Sequence, residues 1–419
     1  MNAVAIVLEM VRKCTNYGMP RSTAAQGGIM AASGATALAA LRIGGRVAFE
    51  RLVRPKARRA EDVPCSPEAI TPEWLTAVLC QQTPGAVVTD VVVKASSAGT
   101  HERHQLIVSY NDAGQRAGLP RSMFTKSLPS IVTRMIGGFN GTARVEGRFY
   151  TQLRPQLEIE APIGYHAAFD RQTYASMLLL EDMVATKSAT FCNYKTYVDR
   201  EMAEDMVDVL AALHARFYGN DELAARYRWV AGYPRWFTIG AEKMSLEHYT
   251  RKAFDAAAHV IPASVLAQRD AVWPAAIRAL AVHDSEPQGL IHSDVHIGNW
   301  YRTGAGKMGL CDWQCLARGH WTRDFSYAVT AALTPDDRRN WETDLLRRYL
   351  DRFAGLTGTR PDFDQSFLHY RQQMVHALLM WTITLCHSPL LPAMQSEQTT
   401  LAMIGRISTA MADLDSLRS

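Results

Sequence analysis

The order in which two hydrophobic patterns follow each other constrains the fold of this chain most. Apolar and β-branched runs typical of strands lie at residues 87–93, 106–108, 123–126 and 177–180. Beyond residue 182, apolar residues recur at helical spacing at 202–217, 266–282, 338–353 and 367–386. Because strands and helices are segregated instead of alternating, the sequence predicts an α+β fold and not a series of βαβ units.

The composition indicates an ordinary globular protein. The 419 residues are 47% hydrophobic and 21% charged, and the formal net charge is +4. Such a mild charge does not favour nucleic acid as a partner. The basic cluster of the N-terminal region consists of Arg51, Arg54, Lys56, Arg58 and Arg59. We interpret this cluster as a solvated linker, with contact to a membrane or a nucleic acid as the alternative.

The cysteines and the hydrophobic stretches bear on the compartment. Seven scattered cysteines without a Cys-x-x-Cys pair are typical of a reducing environment. No stretch reaches the roughly 18 uninterrupted apolar residues of a membrane span. Glu9 and Arg12 interrupt the apolar core that a signal peptide needs. The sequence predicts a cytoplasmic protein without a membrane span, and it leaves the oligomeric state open.

The segment 291–313 carries the most specific chemical pattern. Phosphoryl transfer from ATP needs a carboxylate that orients the acceptor, oxygen ligands for Mg²⁺, and cations near the phosphates. Asp294 can take the acceptor hydroxyl. Asn299 and Asp312, which a short hairpin would bring together, can hold the metal.

These residues carry a resemblance to a known superfamily. His292-x-Asp294-x-x-x-x-Asn299, followed by an apolar strand that ends in Asp312, resembles the catalytic loop and metal-binding segment of the aminoglycoside phosphotransferase and choline kinase-like superfamily. The resemblance implies a protein-kinase-like fold, Asp294 as the catalytic base, and Asn299 and Asp312 as Mg²⁺ ligands. It also implies that His292 supports the loop and that Asp324 braces it by hydrogen bonds.

The resemblance continues upstream, in the expected order. Lys126, at the end of a predicted strand, resembles the lysine that binds the phosphates of ATP, and Glu146, on a helix predicted at 142–153, resembles its carboxylate partner. Backbone groups near Glu181 and Met183 would contact the adenine. The phosphate loop would include Ser97, Gly99 and Thr100. It contains one glycine instead of the several that are usual, so its contacts with phosphate stay open.

The resemblance also implies the division of the chain. We expect an N-terminal extension of open role at 1–62, a small lobe with an antiparallel nucleotide-binding sheet and a hinge at 63–183, and a larger helical lobe with the catalytic loop and acceptor site at 184–419. Within the superfamily, the local sequence around Glu181, Asp294 and Asp312 is most similar to that of the ecdysteroid-kinase-like branch.

The predicted function is transfer of the γ-phosphate of ATP to a hydroxyl of a small molecule. Aromatic residues in the expected acceptor region suit a lipophilic, steroid-like alcohol: Tyr194, Trp229, Tyr233, Trp236, Phe237 and Trp381. An aminoglycoside or choline type of acceptor is the alternative, as is a kinase-fold protein that binds nucleotide without catalysis. A third alternative is a metal-dependent hydrolase that uses His292, Asp294 and His296, which alternate along the chain.

Overall fold

In a computed structural model, the chain is described at residue 38 and at 41–97, 102–128, 130–389 and 393–419, except for the side chains of 95–97, 136, 139 and 140. It divides into two compact units. The first comprises Met1–Gln152 with Ile163–Asp182, and the second comprises Leu153–Pro162 with Met183–Ser419. The division predicted at 62 and 183 stays a prediction.

A five-stranded antiparallel sheet forms the centre of the first unit. Its strands are β1 (Val88–Ser97), β2 (Glu102–Tyr110), β3 (Ser122–Ser127), β4 (Gly164–Phe169) and β5 (Ser176–Glu181), in the order β1-β2-β3-β5-β4. β3 lies between β2 and β5, so that Lys126 pairs with Arg103 on one side and Leu178 on the other. One face of the sheet buries Leu106, Met123 and other apolar residues in the core of this unit.

The sequence predicted four of these five strands. β4 was missed because Gly164–Phe169 contains glycine and two alanines, which have low strand propensity. β4 lies at the edge of the sheet, where its pairing with β5 decides its conformation.

Helices flank the strands of the first unit. They are α1 (41–53), α2 (Pro72–Leu79), α3 (Asp112–Arg116), α4 (Ile131–Asn140) and α5 (Thr142–Arg148). Gly141, with φ of 69°, separates α4 from α5, because a left-handed residue ends a helix. The helix predicted at 142–153 begins as expected, and after Arg148 it continues as a π-helical turn at Phe149–Leu153.

The second unit is mainly helical. Its helices are α6 (Met183–Lys187), α7 (Arg200–Ala215), α8 (Glu222–Arg226), α9 (Tyr233–Met244), α10 (Leu246–Ala256), α11 (Ala263–Leu266), α12 (Val272–Ala279), α13 (Val282–Ser285), α14 (Thr322–Ala332), α15 (Pro335–Thr357), α16 (Phe363–Leu385) and α17 (Glu397–Asp413). Its short strands are β6 (Thr190–Phe191), β7 (Gly289–Ile291), β8 (Trp300–Arg302), β9 (Met308–Leu310) and β10 (Ala317–Gly319). β8 and β9 form an antiparallel hairpin, and β7 pairs with β10.

One predicted helix, at 266–282, is wrong as a single element. The chain forms a 3-10 turn at Arg269–Ala271 and restarts as α12 at Val272. Pro274 explains the restart, because proline has no N–H to donate and is tolerated only in the first turn of a helix.

The predicted fold class is confirmed. A small antiparallel sheet precedes a larger, mainly helical part, as expected for an α+β, protein-kinase-like fold. Across the described ranges, no helix combines the length and the apolar character that crossing a lipid bilayer requires.

Candidate active site

His292 opens the loop that connects β7 to β8. Its Nδ1 accepts the backbone N–H of Asp294 at 3.2 Å, and its Nε2 lies 3.0 Å from the carbonyl oxygen of Cys311. Burial lowers the pKa of His292 despite the nearby carboxylates, so we assign the neutral ring with its proton on Nε2. Both ring nitrogens are therefore engaged inside the protein. His292 ties the loop to the strand end that precedes Asp312, and it is poorly placed for the metal-ligand role of the hydrolase alternative.

Asp324, near the start of α14, holds the same loop through its backbone. Its carboxylate accepts the N–H groups of His292 at 2.6 Å and Ser293 at 2.8 Å, and the ring of His214 at 3.2 Å. Burial would raise the pKa of Asp324, but the hydrogen bond from His214 and the attraction of His214 and Arg323 outweigh it and lower that pKa. A buried ionised carboxylate thus fixes two consecutive amides, which is the geometry that a bracing role requires.

Ser293 has a strained backbone that its neighbours hold in place. Its φ of 67° lies in the left-handed region, which residues with a side chain rarely adopt. The buried guanidinium of Arg323 donates to the Ser293 carbonyl at 3.0 Å and to the Tyr233 hydroxyl at 2.9 Å. Asp324 and Arg323 therefore hold the N–H and the C=O of one residue, and this directs the next side chain, Asp294.

The carboxylate of Asp294 lies among aromatic and polar groups. The Tyr327 hydroxyl donates to Oδ1 at 3.4 Å, Nε2 of His296 lies 4.0 Å from the same oxygen, and Nδ2 of Asn299 lies 3.4 Å from Oδ2. Burial and the charge of Asp294 raise the pKa of Tyr327 well above its ordinary value, so the phenol keeps its proton. The side chain of Asp294 is 15% exposed, which leaves the carboxylate accessible for chemistry.

Asn299 and Asp312 flank the β8–β9 hairpin. Trp300 pairs with Leu310, and the N–H of Cys311 donates to the carbonyl of Asn299 at 2.9 Å. The Asn299 amide nitrogen donates to the Asp294 carbonyl at 2.7 Å, which assigns Oδ1 as the amide atom available to a metal. Asp312 follows Cys311 with φ of 67°.

The donor set fits magnesium. One amide oxygen and one carboxylate are hard ligands, and Mg²⁺ is usually held by one or two carboxylates together with substrate phosphates. No group of three histidine, cysteine, aspartate or glutamate side chains suited to a metal occurs in the part of the chain that the structure describes.

In the first unit, Lys126 and Glu146 form a buried ion pair. Nζ of Lys126, on β3, lies 2.7 Å from Oε2 of Glu146, on α5. The side chains are 6% and 2% exposed. Pairing fixes the position of a long side chain that would otherwise sample many rotamers.

The remaining predicted residues occupy several places. Glu181 ends β5, where its side chain and its N–H both bond the backbone of Ile163 at 3.0 and 2.8 Å. Met183 begins α6, and its carbonyl accepts the N–H of Ala189 at 3.1 Å. Ser97 ends β1, but its side chain lies outside the described residues, as do Gly99 and Thr100.

Three of the aromatic residues expected near an acceptor are core residues instead. Tyr233, Phe237 and Trp381 are at most 3% exposed. Phe237 stacks on His376 with ring centroids 4.7 Å apart, and the Tyr233 hydroxyl bonds the same histidine at 3.0 Å. Their burial leaves these three rings almost no exposed surface with which to contact an acceptor, so the expectation is corrected for them.

The structure also identifies supporting residues that the sequence reasoning missed. Arg323 and Tyr327 contact the loop from α14, and His214 reaches Asp324 from α7, more than 100 residues away. The sequence signal for Tyr327 is its spacing, because Arg323, Asp324 and Tyr327 share one face of α14 at three- and four-residue intervals.

Solved structures similar to the chain include three phosphotransferases. An aminoglycoside phosphotransferase from Alicyclobacillus acidocaldarius is 13% identical, with 78% of this chain and 91% of that chain covered and a TM-score of 0.42. Macrolide 2'-phosphotransferase from Brachybacterium faecium is 14% identical over 71% and 88%, with a TM-score of 0.41. Choline kinase from Streptococcus pneumoniae is 14% identical over 78% and 94%, with a TM-score of 0.40.

The family assignment rests on a direct match of the sequence. No curated protein sequence matches the chain significantly. The model of the family described as "Phosphotransferase enzyme family" matches residues 138–361, more than half of the chain, including the catalytic-loop segment and Asp324. The chain therefore belongs to the phosphotransferase enzyme family.

Proposed function

We propose that the protein transfers the γ-phosphate of ATP to a hydroxyl group of a small molecule. The observation that carries the proposal is the loop at 292–299, in which an accessible carboxylate, Asp294, follows a residue held by Asp324 and Arg323. Phosphoryl transfer depends mainly on positioning and charge neutralisation, and a rigidly directed carboxylate serves the first of these needs.

Each predicted site residue has a role in this proposal. Asp294 accepts and orients the acceptor hydroxyl. Glu146 holds Lys126 in position by their ion pair, and Lys126 binds the phosphates as a point charge. Asn299 and Asp312 provide the oxygen ligands for Mg²⁺, which neutralises phosphate charge when bound.

Further residues complete the nucleotide site in the proposal. Backbone groups near Glu181 and Met183 bind the adenine, and Ser97, Gly99 and Thr100 belong to the loop that binds the phosphates. His292 and Asp324 keep the catalytic loop in shape and do not contact substrate.

We further propose that the acceptor is a lipophilic alcohol, as in the ecdysteroid-kinase-like branch. The surroundings of Asp294 support this choice: its carboxylate is contacted by the Tyr327 hydroxyl, the Asn299 amide and, at 4.0 Å, the His296 ring. Small-molecule sites with aromatic walls and few polar groups suit partly apolar ligands, whereas a polycation calls for several carboxylates.

A screen with mass spectrometry tests both proposals separately. The full chain is incubated with Mg-ATP and hydroxyl compounds that include steroid-like alcohols, aminoglycosides and choline, and products are identified by the added phosphate. We expect phosphorylated lipophilic alcohols. Products confined to aminoglycosides or choline would contradict the acceptor proposal but leave the kinase intact.

The variant Asp294→Asn tests the role of the proposed base. Loss of the carboxylate should lower turnover by about 10²–10⁴-fold, the usual worth of a positioned acid or base, while Mg-ATP binding stays unchanged. Asp364→Asn, at an exposed position on α16, should behave as wild type. Full turnover by Asp294→Asn would remove the proposed base.

A further inference from the structure

The helix α1 is docked on the first unit by one of its faces. Ile43 and Val47 are buried against Met135 of α4. Next to them, Glu50 forms a two-point ion pair with Arg134 at 2.6 and 3.2 Å, with side chains 7% and 1% exposed. A buried bidentate pair and an apolar cluster together fix the rotation of this helix about its axis.

The opposite face of α1 is also apolar, and it is exposed. Leu41 is 68% exposed, Phe49 45%, Leu52 86% and Val53 53%. At 3.6 residues per turn, these four positions fall within an arc of about 120° that points away from the buried face. A docked surface helix ordinarily carries polar residues on its outer side, so an apolar outer side indicates an interaction surface.

The charge around this exposed face is strongly positive. The basic residues of α1 and the segment that follows it are Arg42, Arg46, Arg51, Arg54, Lys56, Arg58 and Arg59. The acidic residues nearby are already engaged, since Glu50 pairs with both Arg134 and Arg46, and both Glu61 and Asp62 pair with Arg59. The face therefore combines large apolar side chains with a surplus of cations.

The combination of apolar and basic side chains favours one kind of binding partner for this face over the others. A second copy of the chain would bring two clusters of like charge together, which is unfavourable. Nucleic acid would match the arginines but would leave Leu52 and Phe49 without apolar partners. A bilayer rich in anionic lipid offers both an apolar layer for these side chains and a negative surface for the arginines.

We propose that the exposed face of α1, with the basic segment to Arg59, docks the protein onto anionic phospholipid membranes. Phe49 and Leu52 insert into the interface, and the arginines bind the lipid phosphates. The proposal concerns a surface far in sequence from the catalytic loop and does not depend on the activity. A membrane-docked enzyme would meet a lipophilic acceptor where that acceptor is concentrated.

Vesicle sedimentation tests the proposal with the full chain. We expect the protein to sediment with vesicles of phosphatidylcholine and phosphatidylserine, and much less with phosphatidylcholine alone or at high salt. Phe49→Ser combined with Leu52→Ser should weaken binding by about tenfold per side chain. Arg42→Ser, at an exposed position that lies within the same arc, should weaken it by about fivefold.

Matched controls lie on α15. Leu356→Ser changes a 46% exposed leucine and Arg352→Ser an exposed arginine, and neither should alter vesicle binding. Thermal unfolding checks that all variants are folded, which we expect because every changed side chain is exposed. The proposal is overturned if wild type ignores anionic vesicles, binds both compositions equally, or binds as before after the α1 changes. A dimer in sedimentation equilibrium that Leu52→Ser dissociates would also overturn it.

Discussion

Ser293 adopts a left-handed backbone conformation, and its Oγ is buried without a hydrogen-bond partner among the described residues. Both features cost stability, the first because Cβ crowds the backbone and the second because a hydroxyl loses its water. Ser293→Gly should therefore raise the free energy of unfolding by about 1 kcal/mol, the two gains together exceeding the entropy that glycine costs. Urea unfolding measures the change.

Ser188 supplies a matched comparison for this residue. It also has a positive φ, of 51°, but it is exposed, so its hydroxyl is not deprived of water. Ser188→Gly should change stability by a few tenths of a kcal/mol at most. A loss of stability in Ser293→Gly would contradict the prediction, because it would mean that the Ser293 hydroxyl or Cβ stabilises the loop.

The sequence predicted some of the residues of the candidate site and missed others. Asp294, Asn299 and Asp312 follow from one nearly continuous motif, because the chemistry of a phosphate-bound cation specifies their types and spacing. Arg323 and Tyr327 were missed, since their contacts depend on how α14 packs against the loop. Such a contact is set by tertiary structure and leaves little local trace.

At the scale of elements, the ion pair between β3 and α5 both holds the fold and serves the proposed function. Lys126→Met leaves the Glu146 carboxylate buried without its lysine, which should cost about 3–5 kcal/mol. Lys126→Met combined with Glu146→Leu should recover most of this loss, because apolar residues of similar volume replace a buried pair well. Phosphoryl transfer should stay abolished in both variants.

Comparing stability with activity tests this prediction. Urea unfolding and the phosphorylation assay are run on wild type, both variants and Arg352→Ser, an exposed change on α15. Activity in the double variant would show that the pair is structural, and the proposed phosphate contact of Lys126 would then be wrong.

Prediction of the elements succeeded where local pattern and tertiary role agree. The strands β1, β2, β3 and β5 are apolar and β-branched, and they occupy the interior and one edge of the sheet. β4 has little strand propensity and forms because β5 offers it an edge. The prediction of a single helix at 266–282 was wrong because it followed the apolar periodicity and did not take Pro274 into account.

For the whole molecule, buried histidines predict acid sensitivity. Burial lowers the pKa of His283 to about 3 and the pKa values of His320 and His376 well below the ordinary value of 6.5. In the unfolded chain these rings are protonated below about pH 6.5, whereas in the folded protein they stay neutral. The unfolded state therefore binds more protons, and stability falls as the pH decreases from 6.5 towards the folded pKa values.

The expected slope is about 1.4 kcal/mol per pH unit for each such histidine. Urea unfolding at a series of pH values between about 7.5 and 4.5 measures it. His376→Gln should reduce the slope, and His248→Gln, at an exposed position, should not. A free energy of unfolding that does not change with pH over this range would contradict the neutral, buried state of these rings.

Sequence reasoning reached the fold class and the family, whereas the division at 62 and 183 and the kind of acceptor stay predictions. Acceptor preference depends on which aromatic side chains line a cavity and which fill the core. Tyr233 and Phe237 are buried, but the sequence shows only that they are aromatic and does not distinguish a cavity wall from a core position. The exposed face of α1 was likewise hidden, because its leucines look like core residues until the docked face is known.

In the proposed mechanism, Lys126, Asp294, Asn299 and Asp312 serve one magnesium-bound nucleotide. A crystal structure of the full chain with Mg²⁺ and a non-hydrolysable ATP analogue would show whether these four side chains meet the same ligand. We predict the metal at about 2.0–2.1 Å from an oxygen of Asn299 and of Asp312, with Lys126 on the phosphates and Asp294 facing the γ-phosphate. A nucleotide bound elsewhere, or a metal held without these two residues, would contradict the claim.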